Sequence, residues 1–117
     1  MAAPNVVNVV TITGKTAVQI IGTSPTAIVT NAAASGKVLK VNALYISNVD
    51  GTNAADVTVD LFRASVAYRI ASTVSVPADS TLDIISKSFY LEEGDSLRLT
   101  ASVALDLEGV ASYEEIS

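Results

Sequence analysis

Apolar and polar residues alternate with a period of two along most of this chain, which predicts β-strands rather than helices. Val57, Val59 and Leu61, for example, alternate with Thr58 and Asp60. The runs are rich in Val, Ile, Thr and Tyr, and residues typical of turns separate them. They cover residues 6–13, 16–21, 26–31, 37–48, 57–62, 66–72, 81–91, 96–103 and 105–116. A break is expected near residues 86–88, inside the seventh run.

Eight or nine short runs at this spacing are typical of a β-sandwich or barrel. The alternation leaves one face of each run polar, which favours antiparallel pairing. We therefore predict an all-β fold: a single antiparallel β-sandwich of about eight strands, jelly-roll or Ig-like, over residues 1–117. Residues 1–14 are either an extended arm or the first strand of this sandwich.

The alternation also predicts which side chains face the core. In the longest run, it divides the residues into two sets of opposite orientation. The first set is Leu39, Val41, Ala43 and Tyr45, and the second is Val38, Lys40, Asn42, Leu44 and Ile46. The last two runs predict two further inward rows: Leu97, Leu99, Ala101 and Val103, then Leu105, Leu107, Ala111 and Tyr113.

Composition narrows the range of functions. The 117 residues are 50% hydrophobic and 16% charged, with a net charge of −5, and a chain so apolar is expected to bury some of its surface in a homo-oligomer. The seven basic residues are scattered, which argues against nucleic acid and anionic membrane as partners. No run reaches the ~18 apolar residues of a membrane span. The N-terminal residues lack the pattern of a secretion signal, so we expect assembly in a cytoplasm.

The chain has no Cys and no His. The missing thiols exclude disulfides and zinc–thiolate sites. The missing imidazole removes the usual general base and the centre of a Ser–His–Asp triad. No nucleophile elbow or phosphate-binding glycine motif occurs. We therefore predict a protein that is not an enzyme, with no catalytic, cofactor-binding or metal-binding residues.

Three carboxylates, Glu92, Glu93 and Asp95, surround Gly94 and form the densest acidic stretch. A Ca²⁺ site needs several oxygen ligands, but this spacing does not match an EF-hand loop. A paired-carboxylate hydrolase needs a cleft between the acids. The preferred interpretation is a tight turn, with Gly94 at positive φ and the carboxylates in water.

Other polar residues are weaker candidates. A second acidic loop holds Asp50, Asn53 and Asp56, and Asp50-Gly51 is itself a turn signal. Lys40 and Asp60 lie in strand runs, where outward-facing charges that protect sheet edges are expected. The four tyrosines are a further candidate set, for a sugar-stacking platform or, as we prefer, for packing in the core or an interface: Tyr45, Tyr68, Tyr90 and Tyr113.

Three segments carry a resemblance to a known group. They are "KVLKVNALYISNVDGTNAADVTVDLF" (37–62), "VPADSTLDIISKSFYLEEGDSLRLTAS" (76–102) and "DLEGVASYEEIS" (106–117), preceded by "TAIVTNAAASGKV" (26–38). In these segments the chain resembles small virion structural proteins of tailed bacteriophages, particularly marine phages. The most specific element is "SVPADSTLDIISK…YLEEGDSLRL"; the "L-x-x-G-D-x-L" core alone is common in jelly-roll domains.

The resemblance implies a virion protein present in many copies, and it carries no catalytic or ligand residues. The expected role is a capsid decoration (cement) protein that binds between capsomers. The expected partners are further copies of itself, as a trimer, and the major capsid protein or other virion proteins. Two alternatives are a neck, tail or fibre-associated structural protein and a carbohydrate-binding module on the virion.

Overall fold

A computed structural model describes residues 10–117 of the protein, so the expectation of an arm or strand within residues 1–9 lies outside the described residues. The described chain forms nine β-strands and no helix, and therefore none that could span a membrane. The strands are β1 (Ile12–Ile20), β2 (Thr26–Thr30), β3 (Val38–Asn48), β4 (Ala55–Arg63), β5 (Val66–Val76), β6 (Thr81–Asp83), β7 (Phe89–Leu91), β8 (Ser96–Ala101) and β9 (Leu107–Ile116).

Two antiparallel sheets pack face to face, which confirms the predicted β-sandwich. The first sheet, sheet A, has the order β1-β9-β3-β6, and β7 also pairs with β3. The second, sheet B, has the order β2-β8-β4-β5. When β6 and β7 are counted as one broken strand, the chain has eight strands. The first then pairs with the last (β1 with β9), the second with the seventh (β2 with β8), the third with the sixth (β3 with β6 and β7) and the fourth with the fifth (β4 with β5), as in a jelly roll. Of the two predicted alternatives, the strand order is therefore that of a jelly roll and not that of an Ig-like sandwich.

The core lies between the two sheets and consists mainly of aliphatic side chains. Its largest fully buried members are Ile21, Leu44, Ile46, Leu91, Leu97, Leu99 and Leu107. Fully burying side chains of this size stabilises the fold by about 1.5–3 kcal/mol each before conformational entropy is set against it. The predicted inward positions Val57, Val59, Leu97, Leu99 and Ala101 are all buried.

A β-bulge in β3 overturns part of the predicted pattern. Val41 pairs with Tyr113 of β9, but the next pair joins Ala43 to Ser112, so Asn42 is an extra residue. An extra residue reverses the alternation beyond it. Val41 is therefore buried, but so is Leu44, whereas Tyr45 is exposed on the outer face. The prediction that Ala43 and Tyr45 share the face of Val41 was wrong.

Three further boundaries differ from the prediction. β1 runs through Gly14 without interruption, although this glycine was expected to end a strand. Residues 12–14 thus belong to the sheet rather than to an arm. β8 ends at Ala101, and Val103 and Leu105, both expected in the core, are exposed in the loop before β9. A period of two cannot show where pairing stops, because loop residues keep the alternation by chance.

Candidate functional site

The turn between β7 and β8 holds one of its acidic residues, Asp95, against the protein rather than in water. Arg63, the last residue of β4, donates from Nε to Asp95 Oδ1 at 2.8 Å and from Nη2 to Asp95 Oδ2 at 2.6 Å. The same Nη2 donates to Glu92 Oε2 at 2.8 Å. Asp95 is only 1% exposed. The prediction that all these carboxylates stay in water was therefore wrong for Asp95.

The same turn is tied to the loop between β2 and β3. Asn31 donates its backbone N–H to Asp95 O and accepts from Gly94 N–H at its own carbonyl. Its side-chain Nδ2 donates to Leu91 O at 3.0 Å. Gly36 N–H donates to Glu93 Oε2 at 3.0 Å. Gly94 has φ +89°, as predicted for this turn. The acidic stretch thus fixes one corner of the sandwich.

Hydrogen bonding sets the ionisation of this corner. The Arg63 guanidinium lowers the pKa of Asp95 below its usual 3.8, and the Glu92 backbone N–H adds to this effect against the opposing effect of burial. The Asp95 carboxylate in turn raises the pKa of Arg63. Both groups are held in their charged forms. A carboxylate so stabilised is a poor proton donor or acceptor near neutral pH.

A second ion cluster lies on the outer face of sheet B. Asp60 accepts from Arg69 Nη1 at 2.6 Å and from Arg98 Nε at 3.1 Å. The Arg98 guanidinium lies 3.9 Å from the centre of the Phe62 ring. These side chains cover Asp60, which is 1% exposed. Asp60 faces outward as predicted, but β4 is a central strand, so the prediction that it protects a sheet edge was wrong.

Lys15 and Lys37 both bind Glu115 near one end of the sandwich. The Nζ atoms lie 3.0 Å and 2.8 Å from the Glu115 carboxylate oxygens, respectively. Lys37, and then Lys15, lower the pKa of Glu115, and Glu115 raises the pKa of Lys15. The three charges satisfy one another on partly exposed side chains, an arrangement that contributes little to stability.

The second acidic loop is organised by its own backbone. Asp50 Oδ1 accepts from the N–H groups of Thr52 at 2.8 Å and Asn53 at 3.2 Å, and these bonds lower the pKa of Asp50. Asp56 lies in β4 rather than in this loop, and its N–H donates to Ser102 Oγ, after β8, at 2.9 Å. Asp106 lies beside Asp50, and partial desolvation together with the Asp50 charge raises the pKa of Asp106. The loop is thus the predicted Asp50-Gly51 turn.

Within residues 10–117, no three side chains of His, Cys, Asp or Glu come together as they would to hold a metal ion. Lys40 pairs with Glu114 and Tyr90 on the outer face of sheet A, an outward position as predicted. However, β3 lies between β9 and β7, so the prediction that Lys40 protects a sheet edge was wrong. Tyr113 packs against the core as expected, but Tyr45 and Tyr68 do not, because both are exposed. Tyr90 is exposed as well.

The most distinctive surface is apolar and lies on the outer face of sheet A. Val18, Val110 and Tyr45 are partners across β1, β9 and β3, so their side chains form one row. Ile20 lies beside this row on β1. Val18 is 75% exposed and Ile20 is 64% exposed. We call these four residues the β1 surface. A shallow groove of about 280 Å³ runs between Val18 and Val110 on one side and Ile20 and Glu108 on the other.

Sequence reasoning missed the β1 surface, although a signal for it exists. Ile12, Val18 and Ile20 share one face of β1, and the other face carries Lys15 and Gln19. The more apolar face of this strand therefore points outward, opposite to the usual arrangement of a sandwich strand. The groove and the exposed row can bind an apolar surface or a β-strand.

Comparisons with known proteins add one observation on the fold. No family model and no curated protein matches the chain. A solved structure from Bacillus endospore appendages, described as a novel family of disulfide-linked pili, has a similar fold with a TM-score of 0.53 and 14% sequence identity. The match covers 92% of this chain and 88% of that one. It therefore extends over the whole sandwich, and at this identity it concerns the fold alone.

Proposed function

We propose that this chain is a virion structural protein of a tailed bacteriophage, and specifically a capsid decoration protein that binds between capsomers. The resemblance of residues 37–62, 76–102 and 106–117 to phage virion proteins supports the virion role. The proposed role is structural rather than enzymatic, and the proposed location is the capsid surface of the virion.

The observation that carries a binding role is the β1 surface. A compact sandwich normally covers its large aliphatic side chains, and contiguous exposed apolar residues mark interaction sites. Here Val18, Ile20 and Val110 are exposed side by side on a rigid sheet. A decoration protein needs little more than such a scaffold, because many weak contacts to a repeating lattice add up through multivalency.

The capsid assignment rests on the size and form of the chain. The 117 residues carry a net charge of −5 and contain no fibre-like repeat. The main alternative within the virion is the neck or tail, where structural sandwiches also assemble. A carbohydrate-binding module is a weaker alternative, because only 5% of the residues are aromatic and none is Trp, whereas sugar sites are rich in aromatic side chains.

The test uses heads of the encoding phage that lack this protein. Purified protein added to such heads is expected to bind at a fixed ratio to the major capsid protein and to raise the temperature at which the heads rupture. Heads that already carry the protein are the control and should bind no more. If the protein binds isolated tails but not heads, the capsid assignment is wrong and the neck or tail alternative is favoured.

One observation favours a second candidate, the subunit of a surface filament. The similar fold belongs to a protein of disulfide-linked pili. This chain has no Cys, so a filament made from it would be held by non-covalent contacts only. Electron microscopy of the concentrated, purified protein distinguishes the two candidates. Spontaneous filaments would favour the filament subunit, and discrete particles that bind heads would favour the decoration protein.

A further inference from the structure

β1 is an edge strand whose outer side has no neighbour among residues 10–117. The hydrogen bonds at the two ends of β1 show which of its backbone N–H and C=O groups bond to β9 and which point away from it. Ile21 N–H donates to Leu107 O, and Thr11 exchanges both of its backbone bonds with Ser117. In an antiparallel ladder such pairs alternate along the strand. The odd-numbered residues of β1 therefore bond to β9, and the even-numbered residues direct N–H and C=O outward.

The residues whose backbone groups point away from β9 all have uncharged side chains. They are Ile12, Gly14, Thr16, Val18 and Ile20. Five donor–acceptor pairs, one on each of these alternate residues, thus lie along the edge, and none of the five residues carries a charge that would oppose the approach of another strand. Natural edge strands are usually short, bulged, or protected by Pro or charged residues. β1 has nine residues, an unbroken register with β9, and no Pro. Its one charged residue, Lys15, is bound to Glu115.

The other long edge of the sandwich differs from β1. β5 has register shifts against β4, and Thr73 within it has φ +46°. Arg69 of β5 is tied to Asp60. β2, at the other edge of sheet B, has five residues and its own register shift. Among the described edges, β1 is therefore the one whose geometry best fits the addition of a full-length strand.

We propose that β1 pairs antiparallel with β1 of a second copy of this chain, about a twofold axis at Thr16. This register pairs all nine residues of the strand and uses all five outward donor–acceptor pairs. It places Ile12 opposite Ile20 and Gly14 opposite Val18 of the second copy. Lys15 lies opposite Ala17, so no like charges face each other. The two A sheets then form one continuous sheet, and the β1 surfaces of both copies lie on the same outer face.

The occupant is a second copy because the strand is complementary to itself in this register. Isologous twofold contacts of this kind are the commonest among soluble oligomers. The β1 dimer adds a specific contact to the proposed function, and it rests on that function in one respect: a virion structural protein acts as part of an assembly of many copies. It also narrows the assembly: the contact through β1 makes a dimer, whereas the trimer expected from capsid symmetry requires some other contact.

The register is tested by single cysteines, which are clean probes because the chain has none. In Thr16→Cys the two thiols face each other across the axis, where Cα atoms of a bonded pair lie ~5.5 Å apart, within disulfide range. Val18→Cys is the matched variant on the same edge. In the proposed register, Val18 lies opposite Gly14 of the second copy, so the two cysteines are four residues apart along the strands, or ~14 Å. Mild oxidation should cross-link Thr16→Cys rapidly and Val18→Cys much more slowly. Equal rates, or faster cross-linking of Val18→Cys, would contradict the register.

The contact itself is tested by sedimentation equilibrium of the full chain without cross-links. Wild-type protein should show a monomer–dimer equilibrium. Thr16→Glu places two carboxylates opposite each other and should raise the dissociation constant about tenfold or more. Ser88→Glu, which adds the same charge to the exposed link between β6 and β7, should leave it nearly unchanged. Equal effects of the two variants, or a wild-type protein that stays monomeric, would overturn the proposal.

The two proposals fail in different ways. Protein that binds heads as a monomer, and loses binding in Thr16→Glu, would assign β1 to the capsid protein and reject pairing with a second copy. Protein that dimerises through β1 but binds neither heads nor tails would reject the phage function and leave the dimer intact.

Discussion

Arg63 binds the buried carboxylate of Asp95 through two hydrogen bonds, of 2.8 Å and 2.6 Å, across 32 residues of sequence. The pair joins the end of β4 to the start of β8, which are neighbouring strands of sheet B. Asp95 also accepts from Glu92 N–H at 2.8 Å, so the carboxylate closes its own turn. One acid therefore fixes both the turn and its position on the sandwich.

Asp95→Asn should destabilise the fold by about 1.5–3 kcal/mol, the usual range for a hydrogen bond to a charged group. The matched control is Glu92→Gln, because Glu92 binds the same guanidinium from a position that is 68% exposed. An exposed pair contributes about 0–1 kcal/mol. Urea unfolding at neutral pH measures both values. A loss in Glu92→Gln as large as that in Asp95→Asn would contradict the assignment of the corner to Asp95.

The contribution of Asp95 should also depend on pH. Its pKa in the folded protein is lowered from 3.8, so folding stabilises the ionised form. The stabilisation is complete above the unfolded pKa and is lost as pH falls through the lower, folded value. The difference in unfolding free energy between the wild type and Asp95→Asn should therefore be constant near pH 7 and shrink below about pH 4. A difference that grows on acidification would contradict this account.

Gly94→Ala should cost about 1 kcal/mol, because Gly94 has φ +89° and an alanine is strained there. A Cβ at this position would meet no atom within 4 Å, so the effect isolates backbone strain. Gly22→Ala is the control, since its added Cβ also meets open space without a positive φ. Thermal unfolding should show a loss for Gly94→Ala and none for Gly22→Ala. Equal effects would show that the turn does not require glycine.

Gly109→Ala tests the close approach of the two sheets. The added Cβ would lie 2.8 Å from Leu99 Cδ1, in a core where Leu99 is fully buried. Overpacking of this kind costs about 1–3 kcal/mol. In the double variant with Leu99→Val, which shortens the clashing side chain, the combined loss should be smaller than the sum of the single losses. If the losses of the two single variants simply add in the double variant, the strain in Gly109→Ala does not come from contact with Leu99.

The two-residue turn between β4 and β5 offers a gain in stability. Ala64 and Ser65 have φ +51° and +63°, the conformation of a type I′ turn, which favours Asn-Gly. Replacing Ala64-Ser65 with Asn-Gly should stabilise the protein by about 1 kcal/mol or more. Ala104→Gly, at an exposed turn position without a positive φ, should lose stability instead. A loss in the Asn-Gly variant would contradict the turn geometry.

Much of the fold follows from local patterns. Alternation placed Val57, Val59, Leu97 and Leu99 correctly in the core, and turn chemistry identified Gly94. The bulge at Asn42 could not be predicted, because it depends on how β3 matches β9 rather than on the residues of β3 alone. A single extra residue was enough to bring Tyr45 to the surface.

The role of Asp95 escaped prediction for a similar reason. Nothing near "EEGD" indicates the distant Arg63, which reaches the turn only because β4 and β8 are paired. The outward apolar face of β1 was visible in the residue pattern. The sequence does not show that this face points away from the core. In a strand of unknown position, the more apolar face is expected to meet the core, so the exposure of this face became clear only from the position of β1 in sheet A.

The central claim, that this chain is a capsid decoration protein, is tested most directly by electron cryomicroscopy of purified virions of the encoding phage. The proposal predicts density that fits the jelly roll at regular positions on the capsid surface, in a copy number set by the capsid lattice. Density in the neck or tail alone, or virions that lack the chain, would contradict it.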